Sequence, residues 1–305
     1  MRWDDFRRSD NVEDDRDGGG GGFGGGGGGF GIPVGGGGLG IGTIVVLGIV
    51  GYALGIDPRI LIGGAEMING RNQQVQVDRP SRPGSTPTDQ TGKFVSAILG
   101  STEDVWSAVF QQSGKQYTPA RLVLFRGAIR GGCGMAQSAM GPFYCPNDKR
   151  VYLDTAFFDD LRNRFKGCSG NACEFSEAYV IAHEIGHHVQ DLLGILPKVQ
   201  RAQQASGSKR ESNRLQVRVE LQADCLAGVW ANKAQAKYKF LDPGDIDAAL
   251  QTASAIGDDR LQKQAQGYVV PDAFTHGSSA QRKQWFSTGF EKGTVSSCNT
   301  FSASL

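Results

Sequence analysis

Two histidines and a glutamate within five residues form the first pattern in the sequence that could do chemistry. His183 and His187 are four residues apart in the stretch YVIAHEIGHHVQDLL. On an α-helix this spacing puts both imidazoles on one face, one turn apart, where they can bind one metal ion. Glu184 follows the first histidine and can take a proton from a water that the metal activates. The pattern predicts one catalytic Zn²⁺ per chain, with His183 and His187 as ligands and Glu184 as the base. His188 points about 100° away from His187 and is expected to pack or to form hydrogen bonds.

A catalytic zinc ion usually has three protein ligands, so a third donor is expected elsewhere in the chain. No third histidine continues the first motif in the spacing H-E-x-x-H-x-x-G-x-x-H. Glu220 and Asp224, in RVELQADCLAGVW, are again four residues apart and share one helix face. We predict that Glu220 is the third ligand and that Asp224 orients a zinc-bound imidazole from outside. A solvated helix carboxylate is the alternative for Glu220, and a plain surface or capping role is the alternative for Asp224.

His276, in THGSSAQR, is the fourth histidine and is far from the others in sequence. Hydrolysis of an amide builds negative charge on the carbonyl oxygen, which a His, Tyr or Arg beside the metal can stabilise. We predict this catalytic role for His276, ahead of Tyr144 and Arg282. The alternative is that His276 caps or braces the last helix.

The elements that carry these residues are predicted from apolar periodicity. Helices are predicted near residues 176–193, 211–237, 243–255 and 280–290. Before them, ARLVLFRG and GPFYCPNDKRVYLD have the pattern of strands, and the second folds back as a hairpin at Pro-Asn-Asp. An extended peptide could pair with the edge of this second strand. The fold class predicted for residues 93–305 is α+β, mainly helical with a small β-sheet.

The first 92 residues differ from this domain in composition. Residues 1–38 begin with mixed Arg and acidic residues and continue as mostly glycine, so they are predicted to stay solvated and disordered. Residues 39–56 carry no charge and span about 27 Å as a helix, just enough for a bilayer core. We predict one transmembrane anchor here, with a cleaved signal peptide or a buried core helix as alternatives. Residues 57–92, rich in Pro, Ser and Thr, are predicted to be a flexible linker.

All six cysteines follow the apolar segment: Cys133, Cys145, Cys168, Cys173, Cys225 and Cys298. An even number on one side of the predicted span indicates disulfides in an oxidising compartment. The close pairs suggest the bridges 133–145 and 168–173, which leaves 225 to pair with 298. Reduced cysteines in a cytosolic protein are the alternative. We therefore predict a single-pass protein of the inner membrane, with a cytoplasmic N terminus and a periplasmic or extracellular catalytic domain.

The charge of the chain says little about its partners. Lys and Arg number 32 against 31 Asp and Glu, which gives a net charge of +1, and no basic stripe is present. The composition therefore gives no support for nucleic-acid binding. The partners predicted are a peptide or protein substrate and the membrane.

Several motifs spread along nearly the whole chain resemble one known family. They are MRW…RRSDNVEDDR, the glycine-rich tether, HEIGHHVQ, ELQADCLAGVW and DAFTHGSSAQRKQWFSTGF, in this order. Together they resemble the neutral zinc metallopeptidases of bacteria, a membrane-anchored group. The resemblance implies a zincin-like metallopeptidase domain, with zinc ligands His183, His187 and Glu220 and catalytic base Glu184. The pairing of H-E-x-x-H with E-x-x-A-D is also similar to that of HtpX-like and CAAX prenyl endopeptidases, but those have several spans.

The expected function is that of a membrane-anchored zinc metallopeptidase that hydrolyses peptide bonds. One alternative is a catalytically silent, zinc-stabilised module that binds envelope partners. Glu184 argues against it, because a purely structural zinc site needs no base. Another alternative is a zinc hydrolase of non-peptide amides such as cell-wall cross-links, which would use the same residues.

Overall fold

The fold is taken from a computed structural model of the 305-residue chain, which describes residues 1–16, 87–163, 168 and 173–303. The predicted anchor at residues 39–56 lies outside the described residues, as do most of the predicted N-terminal tether and linker. No helix in the described ranges combines the length and the apolar character that a membrane crossing requires.

Helices make up most of the part of the chain that the structure describes. There are eight: α1 Gln90–Gln112, α2 Ala156–Asn163, α3 Cys173–Leu192, α4 Ile195–Ala205, α5 Lys209–Tyr238, α6 Asp245–Ala255, α7 Asp258–Gln266 and α8 Ser279–Lys292. Side-chain caps fix where several begin, since Asp89, Ser208 and Ser278 each accept a hydrogen bond from the first helical turn. The α+β class and the four predicted helices are confirmed.

Six short strands form a four-stranded sheet and a separate hairpin. They are β1 Val12–Asp14, β2 Arg121–Phe125, β3 Ala128–Gly131, β4 Gly134–Gln137, β5 Phe143–Cys145 and β6 Arg150–Asp154. The sheet order is β1-β2-β6-β5, and β3 pairs with β4. The first three strands of the sheet run parallel, whereas β5 is antiparallel to β6. The predicted β5–β6 hairpin is confirmed, and β5 forms one edge of the sheet.

The long helices pack around α3 and α5, which cross in the core. Gly228 on α5 and Gly289 on α8 lie where these two helices touch, and an added Cβ would overlap the backbone of the opposite helix at either position. Glycine at both positions permits this close approach. It brings α8 alongside the middle of α5, so that a side chain from α8 can reach the α3–α5 crossing.

Three disulfides join the six cysteines in the predicted pairs. Cys133–Cys145 ties the β3–β4 hairpin to β5, and Cys225–Cys298 ties α5 to the C-terminal segment.

The prediction that the N-terminal residues stay solvated is wrong for residues 1–16. Trp3 and Phe6 are each only 4% exposed, and Val12 belongs to the parallel strand β1. Residues 1–16 are part of the same compact unit as the domain. The predicted linker also ends earlier than expected, because α1 begins at Gln90. Apolar side chains spaced among the charges of this segment supplied a burial signal that its overall composition concealed.

Candidate metal and catalytic site

The metal-binding pattern lies on α3, where this helix crosses α5. His183 is buried and His187 is largely buried, one turn further along. Gly186 lies between them, and a Cβ added there would be 3.0 Å from the backbone oxygen of Ala223 on α5. The missing side chain at Gly186 lets α5 approach closely enough to bring its polar side chains to the two imidazoles.

Three side chains from these two helices present ligand atoms to one point. The Oε2 atom of Glu220 lies 3.2 Å from Nε2 of His183 and 3.4 Å from Nε2 of His187. Ligand atoms of all three residues lie within 4.8 Å of one another, and no other such group of three occurs among the described residues. The structure therefore brings together the three residues that the sequence proposed as ligands.

The second ring nitrogen of each histidine meets an acceptor, which fixes the tautomers. Nδ1 of His183 lies 2.8 Å from Oδ1 of Asp224, and Nδ1 of His187 lies 2.9 Å from Oε1 of Gln190. The side-chain nitrogen of Gln190 donates to the Val219 carbonyl and to Oε1 of Gln222 on α5, so the side-chain oxygen is the atom that faces His187. Each Nδ1 therefore donates its hydrogen away from the site, which leaves Nε2 as the ring nitrogen that faces Glu220.

The Nε2 atoms of both imidazoles and an oxygen of Glu220 thus face one another. Burial lowers the pKa of His183, but Asp224 and Glu220 raise it overall to about 10, so a proton lies between His183 and Glu220 when no metal ion is bound there. Two nitrogens and one carboxylate oxygen are a donor set that Zn²⁺ takes in catalytic sites, with a further position left for water. The residues present therefore fit a zinc ion.

Asp224 holds the first imidazole from behind and is itself held by a buried arginine. It is fully buried and accepts hydrogen bonds from Nε and Nη2 of Arg282, each at 2.9 Å, and from the Tyr179 hydroxyl at 2.6 Å. Burial alone would raise the pKa of Asp224, but the Arg282 guanidinium and the His183 imidazole hold it well below its usual range. Asp224 is therefore a permanent carboxylate, oriented to accept the His183 hydrogen.

Glu184 lies in the same buried pocket, with a side chain only 7% exposed. Burial raises the pKa of its carboxyl group and outweighs the opposing effects of the His183 and His187 imidazoles and of a hydrogen bond from the Tyr144 backbone. A carboxylate whose pKa is raised holds a proton more readily than an ordinary glutamate does. This property suits a group that accepts a proton and later returns it.

The three candidates for stabilising a carbonyl oxygen have different surroundings. His276 is about half exposed, and its Nδ1 lies 3.2 Å from the Asp258 carboxylate. Burial lowers the pKa of His276, but the charges of Asp258 and of nearby Glu220 raise it overall. Arg282 is buried against Asp224, and the Tyr144 hydroxyl donates to Asp191 at 2.9 Å. Of the three candidates, His276 has the side chain that is not already engaged deep in the core.

His188 has the supporting role expected for it. It is fully buried, and its Nε2 lies 2.7 Å from the backbone oxygen of Thr118, to which it donates. Its Nδ1 lies 3.0 Å from the Tyr144 hydroxyl, and its ring packs against that of Tyr117. These contacts hold α3 against β5 and against the segment that precedes β2.

Comparison with known proteins bears on this site. A sequence profile of a family described as "Putative neutral zinc metallopeptidase" matches residues 1–301. The chain belongs to this family. It is similar to "Uncharacterized protein YpfJ" of Escherichia coli (strain K12), with 50% identity over 305 residues and 100% of both chains. It is also similar to "Uncharacterized protein Rv2575" of Mycobacterium tuberculosis, with 46% identity over 221 residues, 69% of this chain and 72% of that one. No solved structure is significantly similar to the chain. Family membership makes zinc the expected metal and hydrolysis the expected class of reaction.

The sequence did not indicate Gln190, Gln216 or Tyr179, and it proposed Arg282 only as an alternative stabiliser of the carbonyl oxygen. The side-chain nitrogen of Gln216 donates to Oε1 of Glu220 at 2.8 Å. Gln190 follows His187 by three positions and Gln216 precedes Glu220 by four, so helical spacing could have indicated both contacts. Tyr179 and Arg282 hold Asp224 from separate helices. No sequence spacing relates either residue to Asp224. The packing of α3 on α5 places Tyr179, and the packing of α8 on α5 places Arg282.

Proposed function

We propose that this protein is a zinc-dependent peptidase that hydrolyses peptide bonds. The observation that carries the proposal is the convergence of two imidazole Nε2 atoms and a carboxylate oxygen, with a buried glutamate of raised pKa beside them. A structural zinc site would have its positions filled by protein ligands and would not need the glutamate.

In this mechanism His183, His187 and Glu220 would hold the ion, which supplies Lewis acidity and a lowered pKa for a water molecule. Glu184 takes a proton from the attacking water while the oxygen of that water bonds to the scissile carbonyl carbon. The carbon–nitrogen bond then breaks, and Glu184 returns the proton to the leaving amine. His276, whose pKa is raised, donates a hydrogen bond to the carbonyl oxygen as negative charge develops there.

A peptide substrate is supported by the position of β5. This strand is at the edge of the sheet, and the Tyr144 backbone within it hydrogen-bonds Glu184. A strand edge next to the base offers backbone donors and acceptors to an extended peptide. Such pairing would place a scissile bond beside Glu184 without requiring a particular side chain in the substrate.

The test is Glu184→Gln in the purified full chain. We expect the variant to keep one zinc per chain and to lose about 10²–10⁴-fold in hydrolysis of a quenched-fluorescence peptide library. Glu291→Gln, an exposed change on α8, is the matched control and should retain both properties. Hydrolysis by Glu184→Gln at the wild-type rate would show that another group is the base.

The two alternative functions give different results in the same assay. A silent binding module would hold zinc at full occupancy and cleave no peptide even as wild type. A hydrolase of non-peptide amides would leave the peptide library intact and release products from cell-wall material in a Glu184-dependent way. The three disulfides support a site of action in an oxidising compartment, in contact with the inner membrane through residues 39–56.

A further inference from the structure

Residues 1–16 are built into the domain as an element of its sheet and core. β1 is a parallel neighbour of β2, with Val12 opposite Leu122, and the Asn11 carbonyl accepts from the Leu122 backbone at 2.9 Å. The Trp3 ring lies 5.4 Å from that of Phe94, centroid to centroid, and the Phe6 ring lies 4.6 Å from that of Tyr238. The segment therefore contacts α1, β2 and the end of α5 at once.

A buried carboxylate fixes the segment in register. Glu103 on α1 is only 5% exposed. Its two oxygens accept from Arg7 at 2.6 Å, from Ser9 at 2.6 Å and from Asn11 at 2.8 Å. A buried carboxylate needs such partners, because burying an unpaired charge is costly. Residues 7–11 supply all three of these contacts.

The surface of α1 is shaped to receive the segment. At Gly100 an added Cβ would overlap the backbone carbonyl of Arg7, so only glycine admits the chain there. The match to the family profile, over residues 1–301, includes the segment.

We propose that residues 1–16 and residues 87–303 lie on the same side of the membrane. A strand and its neighbour in one sheet must be in one compartment. The chain between them must then cross a bilayer an even number of times or not at all. This proposal replaces the expectation from the sequence that the N terminus lies in the cytoplasm, opposite the domain.

The topology can be measured with one thiol on each part. All six native cysteines are paired, so Asp10→Cys and Lys198→Cys, both at exposed positions, each give the full chain a single free thiol. Spheroplasts are treated with a membrane-impermeant maleimide before and after detergent. We expect the two variants to show the same labelled fraction before detergent, to within about twofold. Labelling of one thiol before detergent and of the other only afterwards would overturn the proposal.

A second measurement tests docking of the segment without relying on membranes. Gly100→Val should displace the segment and speed tryptic cleavage after Arg8 by at least about tenfold, because protection follows the population of the open form. Gly207→Val is the matched control, since a Cβ there meets nothing within 4 Å. Cleavage at the same rate in wild type and Gly100→Val would show that the segment is not docked, and the proposal would fail. This inference is independent of the catalytic activity.

Discussion

Asp224→Asn separates what this carboxylate does for zinc from what it does for the fold. Asparagine keeps the size of the side chain but removes its charge, so Arg282 would be left buried without a counter-ion. Breaking a buried ion pair in this way costs about 3–5 kcal/mol of unfolding free energy. Loss of the acceptor for the His183 Nδ1 hydrogen should lower zinc affinity by about 10–100-fold.

The double variant Asp224→Asn/Arg282→Met distinguishes the two effects. Removing the guanidinium removes the unpaired buried charge, so the double variant should recover part of the lost unfolding free energy. It should not recover zinc affinity, because His183 still lacks its carboxylate. Asp247→Asn, an exposed change on α6, is the control and should stay within about 0.5 kcal/mol of wild type.

The assays are urea unfolding of the chelator-treated protein with its disulfides intact, and zinc competition titration of the folded protein. The pKa of Asp224 is held below its usual range, so its contribution is present above about pH 4 and is lost only as the pH falls through the lower folded-state value. Asp224 also helps to raise the pKa of His183 to about 10 against the effect of burial, so in the metal-free protein the stability difference should be constant from pH 5 to about 6.5 and should shrink as the pH rises further to 8. Wild-type zinc affinity in Asp224→Asn would refute the orienting role, and equal instability of the single and double variants would refute the unpaired-charge explanation.

Three further predictions concern other parts of the molecule. Replacing Cys225 and Cys298 by alanine should lower the free energy of unfolding in urea by about 4 kcal/mol, because the loop that this bridge closes spans 73 residues. Removing the Cys133–Cys145 bridge, whose cysteines are 12 residues apart, should lower it by only about 3 kcal/mol. A loss for the 225–298 bridge that is equal to or smaller than the loss for the 133–145 bridge would contradict the loop-entropy explanation. Burial raises the pKa of Glu177 to about 7 against the opposing pull of its arginine partner, so its carboxyl stabilises the fold least at high pH. The free energy of unfolding of Glu177→Gln should rise relative to that of wild type by up to about 3 kcal/mol as the pH increases from 5 to 8. A difference between the two proteins that does not change with pH would show that titration of Glu177 is not its cause. His276→Ala should lose about 10²–10³-fold in kcat/KM for peptides with zinc content unchanged, whereas loss of zinc would make His276 a structural residue.

Local spacing predicted the parts of the site that lie on single helices. His183 and His187 share a face because they are four residues apart, and Glu220 and Asp224 share one for the same reason. The sheet hairpin and the disulfide pairs were also accessible, because both depend on short sequence separations and a small number of alternatives. For residues 1–16 the sequence prediction failed, because average composition does not show which few apolar side chains find a complementary surface.

The sequence by itself determined the donor types, their helical spacing and hence the chemistry that the protein can attempt. The tertiary structure decided how the donors meet: Gly186 lets α5 approach α3, and the α5–α8 contact brings Arg282 to Asp224. It also decided that a strand from the start of the chain completes the sheet of the domain. These features depend on contacts between residues far apart in the chain, where packing of complementary surfaces, rather than the period of any one helix, sets the position of each side chain.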